Sequence, residues 1–227
     1  SDVCSSDLYD GVPYSVTTYD DSSTTLPNIP LYASYYKDGR FTAIGNAILT
    51  STDGYTWKET YLIPTDKEIE LHGIMYVNIP NFEGYMTVGK QTTLSTLVTN
   101  ELILISTDGV VWTNPLPSNL GTNGLLSIAS DGTLIVVVGL NGQKDTSTNG
   151  ANWAPQTTSG NPNLNQIVYA NSLFVVVGDN GTIQTSSDGL SWTTQTSGTT
   201  ENLYGVVYND IDRSEEHTSE LQSRLHL

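Results

Sequence analysis

A short frame recurs four times along this chain: Asp or Asn, then Gly, two variable residues and Trp. It contains all four tryptophans, and a serine lies two residues before the Asp or Asn in every copy. A motif repeated at the spacing of one supersecondary unit is typical of a repeat fold, and it constrains the architecture more than any other feature. The frame residues are Asp53, Gly54, Trp57, Asp108, Gly109, Trp112, Asn149, Gly150, Trp153, Asp188, Gly189 and Trp192.

Three short apolar runs precede each frame, and the Trp lies on a fourth. The runs are rich in β-branched and aromatic residues and are bounded by Gly, Asn, Asp or Ser, which indicates strands. Each unit is therefore predicted to be a four-stranded antiparallel meander. The leucines that begin the units are 40, 54, 39 and 39 positions apart, close to the roughly 40 residues of a propeller blade. They are Leu31, Leu71, Leu125, Leu164 and Leu203.

The sequence thus predicts an all-β fold, a partial β-propeller with about four complete blades and fragments of two others. Residues 10–14 fit the frame with Tyr14 in the Trp place, so we expect the chain to enter at the last strand of an earlier blade. Residues 203–208 repeat the first run of a unit, and we expect them to be the first strand of a later blade.

The frame has a structural interpretation. The Asp or Asn side chain can bond the backbone two residues on, and Gly supplies a positive φ, so together they close a tight hairpin between strands three and four. The Trp offers a large apolar surface that can cover its own sheet and a neighbouring one. We interpret the twelve frame residues as turn and core residues rather than catalytic ones.

These copies resemble the Asp-box or BNR repeat of sialidase-type and related β-propellers, which include the photosystem II assembly factor of plants and cyanobacteria and many phage and bacterial surface proteins. The usual pattern has one more residue between Asp and Gly, so the copies here are a variant. The resemblance covers nearly all of residues 9–212. It implies a structural role for the frame and is compatible with many functions.

The two ends fit no repeat. Residues 1–8 and 213–227 resemble translations of a sequencing-adapter oligonucleotide, one strand at each end, and we exclude them from the fold prediction. Cys4, His217 and His226 fall in these segments, which leaves His72 as the remaining histidine. A disulfide framework, a cysteine nucleophile and a Cys/His metal cluster are therefore not expected, and no cofactor is predicted.

The charge and composition narrow the classes of partner. The formal net charge is −16, which disfavours nucleic acid and anionic membranes. No apolar run approaches the roughly 20 residues of a membrane span, so we predict no membrane insertion. Abundant Thr, Ser, Asn and Gly with few lysines favour an extracellular, cell-surface or virion location.

Two kinds of connection share one face of such a propeller: those between strands two and three, and those between blades. We call this side the loop face, and we call the side with the Asp-Gly turns the turn face. Binding residues are concentrated on loops held by a rigid scaffold, so the loop face is the predicted binding side. The candidate binding residues are Lys90, Thr92, Thr93, Asn141, Gln143, Lys144, Asp179 and Asn180.

Two insertions and one substitution leave alternatives open. Residues 90–100 form either a Thr-rich contact loop or a tolerated insertion, including simply longer strands. Residues 78–84 are predicted to form a loop on the opposite face. Lys144 takes a place that Ile holds in other units; it either contacts a ligand in the central channel or, as we expect, reaches solvent from a frayed strand.

The numbers of arginine and histidine residues limit which catalytic sites the chain could form. Sialidases of this fold hold the substrate carboxylate with three arginines, whereas residues 9–212 contain only Arg40. His72 has no motif of a catalytic triad around it, and we interpret it as a solvent or interface histidine. A carboxylate pair for glycoside hydrolysis remains open, since acids are plentiful.

The predicted function is a non-catalytic binding or structural module of a secreted, cell-surface or phage tail or virion protein. It would recognise glycan or protein through the loop face. The alternative is a fragment of a glycoside hydrolase with a sialidase-like fold, whose catalytic residues lie largely in further blades.

Overall fold

The computed structural model describes residues 14–15, 29–115, 121–156 and 161–209. The two ends interpreted as adapter-derived, residues 1–8 and 213–227, lie outside these ranges, as do residues 10–13 of the degenerate frame. Within the described ranges the chain is built of antiparallel strands and contains no α-helix. The all-β prediction is therefore confirmed.

Four antiparallel sheets follow one another along the chain, and consecutive strands pair within each sheet. Blade 2 completes its fourth position with a single bridge between Ile105 and Thr113. The strands of blade 1 are β1 (Tyr14–Ser15), β2 (Pro30–Lys37), β3 (Arg40–Gly45), β4 (Ile48–Ser51) and β5 (Lys58–Glu59), and those of blade 2 are β6 (Lys67–Ile79), β7 (Phe82–Thr93) and β8 (Val98–Ser106). Blade 3 holds β9 (Leu125–Ser130), β10 (Ile135–Gly139), β11 (Lys144–Ser147) and β12 (Ala154–Pro155), and blade 4 holds β13 (Leu164–Ala170), β14 (Leu173–Gly178), β15 (Ile183–Ser186) and β16 (Thr193–Gln195).

The core lies between the blades. One apolar cluster joins blades 1 and 2, where Ile44 and Ile48 meet Leu71 and Trp112. A second joins blades 2 and 3, and a third joins blades 3 and 4 around Phe174. Each sheet buries apolar side chains against the next, as expected for stacked propeller blades.

The glycine that ends each second strand allows a close approach of the backbone. At Gly89 a Cβ atom would overlap the carbonyl group of Glu70 and the Cα of Leu71. Gly45, Gly139 and Gly178 have the same relation to the residues that begin their own blades. This explains why the second apolar run of each unit ends in Gly.

The two insertions of blade 2 lengthen its strands. In the first, β7 continues to Thr93 and β8 begins at Val98, so residues 90–100 consist of longer strands joined by a turn at 94–97. The prediction of a loop at residues 78–84 is wrong, because Asn78 pairs with Glu83 and Ile79 pairs with Phe82. The apolar side chains at 79 and 82 pack into the core between blades 2 and 3, which favours a strand over a loop.

The first and last described segments differ in detail from expectation. Tyr14–Ser15 was predicted to be the last strand of an earlier blade, but it pairs with β2 and is the fifth strand of the blade 1 sheet. Residues 203–208 form no strand, but they follow blade 4 in the manner of a first strand. The Val206 N–H donates to the Gln166 side chain at 2.6 Å, much as the Ile167 N–H of blade 4 donates to Ser127 of blade 3 at 3.2 Å.

Candidate functional site

The Asp-Gly turns form a repeated hydrogen-bond unit. In blade 4 the Gly189 N–H donates to Ser186 Oγ at 2.8 Å, and Ser186 Oγ donates to Asp188 Oδ1 at 2.9 Å. The same Asp188 oxygen accepts the N–H groups of Leu190 and Ser191 at 2.8 and 2.7 Å. The other three copies repeat these bonds, with the Asn149 amide oxygen replacing a carboxylate in blade 3. The serine was present in the sequence pattern, but its role became clear only from the structure.

The turn carboxylates accept hydrogen bonds from the backbone. Two backbone N–H groups and the serine hydroxyl lower the pKa of Asp53 and of Asp188 to about 2. The pKa of Asp108 is lowered by the same kind of contact. Because one oxygen of each side chain closes the turn, these groups are poorly placed to act as catalytic acids.

Three of the four turn glycines lie against the preceding blade, whereas Gly54 lies near only Phe41 of its own blade. All four have φ angles between 69° and 77°, in the left-handed region. A Cβ on Gly189 would lie 2.7 Å from Leu134 of blade 3, and one on Gly150 would lie 3.0 Å from Met86 of blade 2. Gly109 likewise faces the Arg40 side chain, which places that arginine beside the turn face and not at the loop face.

The frame tryptophans differ in their polar contacts. Trp57 donates its indole N–H to the Gly54 carbonyl at 3.1 Å. The indole nitrogens of Trp112, Trp153 and Trp192 are buried without an acceptor among the described residues. Their contribution therefore comes from apolar packing between blades.

On the loop face, the turns between strands two and three are tied to the start of the next blade. The Asn141 N–H donates to Asn163 at 2.9 Å, and the Asn180 N–H donates to Asn202 at 3.0 Å. Asp179 accepts hydrogen bonds from the amides of Asn163 and Asn165. Of the predicted binding residues, Asn141 and Asn180 are thus exposed but partly committed to internal bonds, and Asp179 holds two amides.

Two other predicted binding residues are buried. Gln143 is 4% exposed and donates to Asp145 Oδ2 at 2.7 Å. Lys144 is 6% exposed, so the expectation that it reaches solvent is wrong. Its strand is paired, and its ammonium group lies 5.5 Å from the centre of the Trp192 ring of blade 4. Burial lowers the pKa of Lys144, and the cation–π contact partly offsets the loss of water.

The two predicted threonines make contacts along the extended hairpin of blade 2. The hydroxyls of Thr92 and Thr99 lie 2.9 Å apart, and Lys67 Nζ donates to Thr93 Oγ1 at 2.6 Å. Both threonines remain half-buried. They support the hairpin that projects from the loop face.

Lys90 belongs to a group of four side chains that we call the channel-mouth cluster: Tyr32, Glu70, His72 and Lys90. Lys90 Nζ lies 3.0 Å from Glu70 Oε2, and His72 Nε2 lies 3.7 Å from the same oxygen. The Tyr32 and His72 rings are 4.7 Å apart. Tyr32 is 38% exposed, and the Lys90 and Glu70 side chains are 30% and 38% exposed. The cluster is therefore open to solvent.

The surroundings of His72 favour its neutral form. Burial lowers the pKa of His72, and the Glu70 charge opposes that effect. Burial, followed by the charge of Glu70, raises the pKa of Tyr32. The cluster thus offers an aromatic face, a carboxylate, an ammonium group and a neutral imidazole.

Sequence reasoning found only part of this cluster. Lys90 was a candidate, His72 was set aside, and Tyr32 and Glu70 were missed. The available signal was their position beside the leucines that begin first strands, since Tyr32 follows Leu31 while Glu70 and His72 flank Leu71. Those strands line the central channel, so polar residues beside these leucines reach its mouth.

A cavity of about 300 Å³ runs along the first strands below the cluster. Ser34, His72, Ser127 and Gln166 contribute polar groups to its wall, and Ile128 and Val168 contribute apolar ones. All four blades take part in the lining. The space is thus a central channel in which the strands β2, β6, β9 and β13 converge.

Glu101 and Asp145 are two carboxylates that the structure brings together. Both are buried, at 5% and 0% exposure, so they cannot flank a substrate as a glycosidase pair does.

Among residues 29–115, 121–156 and 161–209, no group of three or more His, Cys, Asp or Glu side chains is arranged to hold a metal ion. In the same part of the chain, no helix has the length and apolar character needed to span a bilayer.

Comparisons with known proteins support the fold. No family model matches the sequence, and no curated protein matches it. A solved structure of YCF48 bound to D1 peptide is similar, with a TM-score of 0.56 and 15% identity over 89% of this chain and 62% of that one. YCF48 from Cyanidioschyzon merolae is 22% identical over 61% of this chain and 39% of that one, with a TM-score of 0.43.

A GH43 endo-arabinanase from Bacillus licheniformis is 12% identical over 78% of this chain and 79% of that one, with a TM-score of 0.47. The sequence spans 39% and 62% of the two YCF48 chains it is similar to. Together with the four stacked sheets, the likeness to the peptide-bound structure establishes that the chain has a β-propeller fold made of four-stranded antiparallel blades.

Proposed function

We propose that this chain is a non-catalytic binding module that recognises a glycan or a protein through its loop face. The observation that carries the proposal is the channel-mouth cluster. Tyr32 supplies a partly exposed ring, Glu70 supplies an acceptor and Lys90 supplies a donor at one mouth of the channel. An aromatic face with a few polar groups around it is typical of sites that bind sugar rings or peptide segments.

Binding is favoured over catalysis by the way the acids are used. The turn carboxylates are held by backbone N–H groups, and the Glu101–Asp145 pair is buried. His72 lies against Glu70 and Tyr32 and makes no hydrogen bond to a nucleophile. These contacts favour structural or binding roles for the turn acids, for the Glu101–Asp145 pair and for His72.

The similar fold of YCF48 with a D1 peptide bound supports the idea that a propeller of this shape can hold a peptide. We further propose that the Asp-Gly turns are a variant of the Asp-box repeat, because the contacts of Ser, of Asp or Asn, and of Gly recur in all four blades. The polar, acidic composition favours a secreted, cell-surface or phage tail or virion setting.

The test is binding of the full 227-residue chain to glycan and peptide arrays, followed by one matched pair of variants. Tyr32→Ala removes a ring at the channel mouth, and Tyr55→Ala removes an 88% exposed ring at the turn face. Truncation of an aromatic residue at the centre of a binding site costs more than about 1 kcal/mol, or roughly fivefold in affinity. We expect that loss for Tyr32→Ala and unchanged affinity for Tyr55→Ala.

Blank arrays under conditions where another propeller binds its ligand would count against the proposal. Equal losses for the two variants would also contradict it, because the loop face would then have no special role. Release of sugar from an arrayed glycan would instead support the hydrolase alternative.

A further inference from the structure

Two acidic side chains from different blades meet beneath the loop face. Glu101 lies on β8 of blade 2 and Asp145 lies on β11 of blade 3, and their carboxyl groups are within hydrogen-bonding reach of each other. One oxygen of each group has a protein donor: Glu101 Oε2 accepts the Gly121 N–H at 2.9 Å, and Asp145 Oδ2 accepts from Gln143 at 2.7 Å. Their other oxygens, Glu101 Oε1 and Asp145 Oδ1, are buried without a donor from the rest of the described protein.

The charged groups around the pair are engaged elsewhere. Lys90, the cross-strand partner of Glu101 on β7, has its ammonium group 3.0 Å from Glu70. Lys144, the sequence neighbour of Asp145 on β11, points to the Trp192 ring of blade 4.

The remaining neighbours carry no charge. Val137 on β10 and Pro155 on β12 are the cross-strand partners of Asp145, and residues 121–123 supply backbone N–H groups. In the described part of the chain, neither carboxyl group of the pair therefore forms an ion pair with a basic side chain.

Ionisation of both carboxyl groups is unfavourable in a buried site, because the repulsion between them adds to the loss of hydration. A buried oxygen without a donor is also rare. One retained proton would remove a charge and would supply the donor for a hydrogen bond between the two carboxyl groups. We propose that Glu101 and Asp145 share one proton and that this carboxyl–carboxylate bond joins blades 2 and 3 in a pH-dependent manner.

The direction of the pH dependence follows from Glu101. Burial, together with the charge of Asp145, raises the pKa of Glu101 from 4.5 to about 7. A raised pKa means that the folded protein holds the proton more tightly than the unfolded chain. The contribution to stability is fully present below pH 4.5 and is lost as the pH rises through about 7. From well below pH 4.5 to well above pH 7, the folded-to-unfolded ratio falls by about 300-fold.

The pair also supports the loop face. Glu101 binds residue 121 through its carboxyl group and through its backbone N–H, which donates to the Gly121 carbonyl at 3.1 Å. Two residues on, Asn123 bonds the side chains of Gln143 and Asn141. Loss of the shared proton would thus loosen the connection between blades 2 and 3. This inference does not depend on the proposed ligand.

Urea unfolding of the full chain between about pH 5 and about pH 8 tests the proposal. We expect the midpoint to fall as the pH rises. Glu101→Gln retains an acceptor for Gly121 and places an N–H donor against Asp145, so it should flatten this dependence and exceed the wild-type stability at about pH 8. Glu68→Gln, which changes an exposed side chain on β6, is the control and should leave the wild-type dependence intact.

Carbon-13 NMR of glutamate-labelled protein gives a second measurement that does not require the variants to fold equally well. One glutamate carboxyl signal of the wild type should titrate near pH 7, and it should be missing in Glu101→Gln. The proposal is overturned if no glutamate titrates between about pH 6 and 8. It is also overturned if millimolar CaCl₂ raises the unfolding midpoint and removes its pH dependence, since a bridging cation would then replace the proton.

Discussion

The contact between the Asp-Gly turn of blade 4 and the preceding blade gives a quantitative prediction for Gly189→Ala and its control Gly54→Ala. Both glycines have a left-handed φ, 69° and 77°, so an alanine at either site costs about 1 kcal/mol of backbone strain. They differ in their surroundings. A Cβ at Gly54 meets only a Phe41 ring atom at 3.8 Å, which is ordinary contact, whereas a Cβ at Gly189 would lie 2.7 Å from Leu134 and 3.0 Å from Val136.

Overpacking of a core typically costs about 1–3 kcal/mol more. We therefore expect a total destabilisation of about 1 kcal/mol for Gly54→Ala and about 2–4 kcal/mol for Gly189→Ala. The assay is urea unfolding followed by tryptophan fluorescence. With a slope of about 2 kcal/mol per molar urea, the midpoints should fall by about 0.5 M and by about 1–2 M. Equal shifts for the two variants would refute the reasoning, because the turn glycine would then serve its own hairpin and not the junction between blades.

Three further predictions address the turns and the buried lysine. Ser186→Ala removes the acceptor of the buried Gly189 N–H and should cost about 1–3 kcal/mol in urea unfolding, whereas Ser187→Ala, an exposed neighbour, should stay within about 0.5 kcal/mol. The pKa values of Asp53 and Asp188 are lowered from 3.8 to about 2, so their contribution to stability is present above pH 3.8 and is lost as the pH falls through about 2. Acid unfolding followed by circular dichroism should therefore start in that window. The acid unfolding should be less pronounced in Asp188→Asn, because the Asn149 amide makes the same bonds in blade 3. Lys144→Met should leave the protein equally or more stable at pH 7 because a buried cation is removed, and the exposed control Lys58→Met should change the thermal midpoint little.

The repeat made most of the fold predictable. The spacing of the Asp-Gly-x-x-Trp frame predicted four meanders, and the hydrogen bonds of the turns depend on residues three or fewer positions apart. Local chemistry of that kind can be read from a sequence. Residues 78–84 form a hairpin and not the expected loop, because Ile79 and Phe82 pack against apolar residues of blade 3, which lie far along the chain.

The candidate site was less predictable for the same reason. The sequence predicts that Lys144 is a surface residue, but its ammonium group lies over the ring of Trp192, which is 48 positions away. The channel-mouth cluster draws Tyr32 from blade 1 and three residues from blade 2, and no motif links them. The contact between Glu101 and Asp145 was likewise not predictable from a sequence with many acidic residues, because it depends on how blades 2 and 3 stack.

The central claim is that recognition takes place on the loop face and that the Asp-Gly turns on the opposite face are structural. Hydrogen–deuterium exchange of the free and ligand-bound chain, with a ligand identified from the arrays, tests it most directly. We predict that binding protects the backbone around Tyr32 and at residues 68–72 and 89–91, and leaves exchange at the turns 53–57 and 108–112 unchanged. Protection confined to the turns, with none at the channel mouth, would contradict the claim.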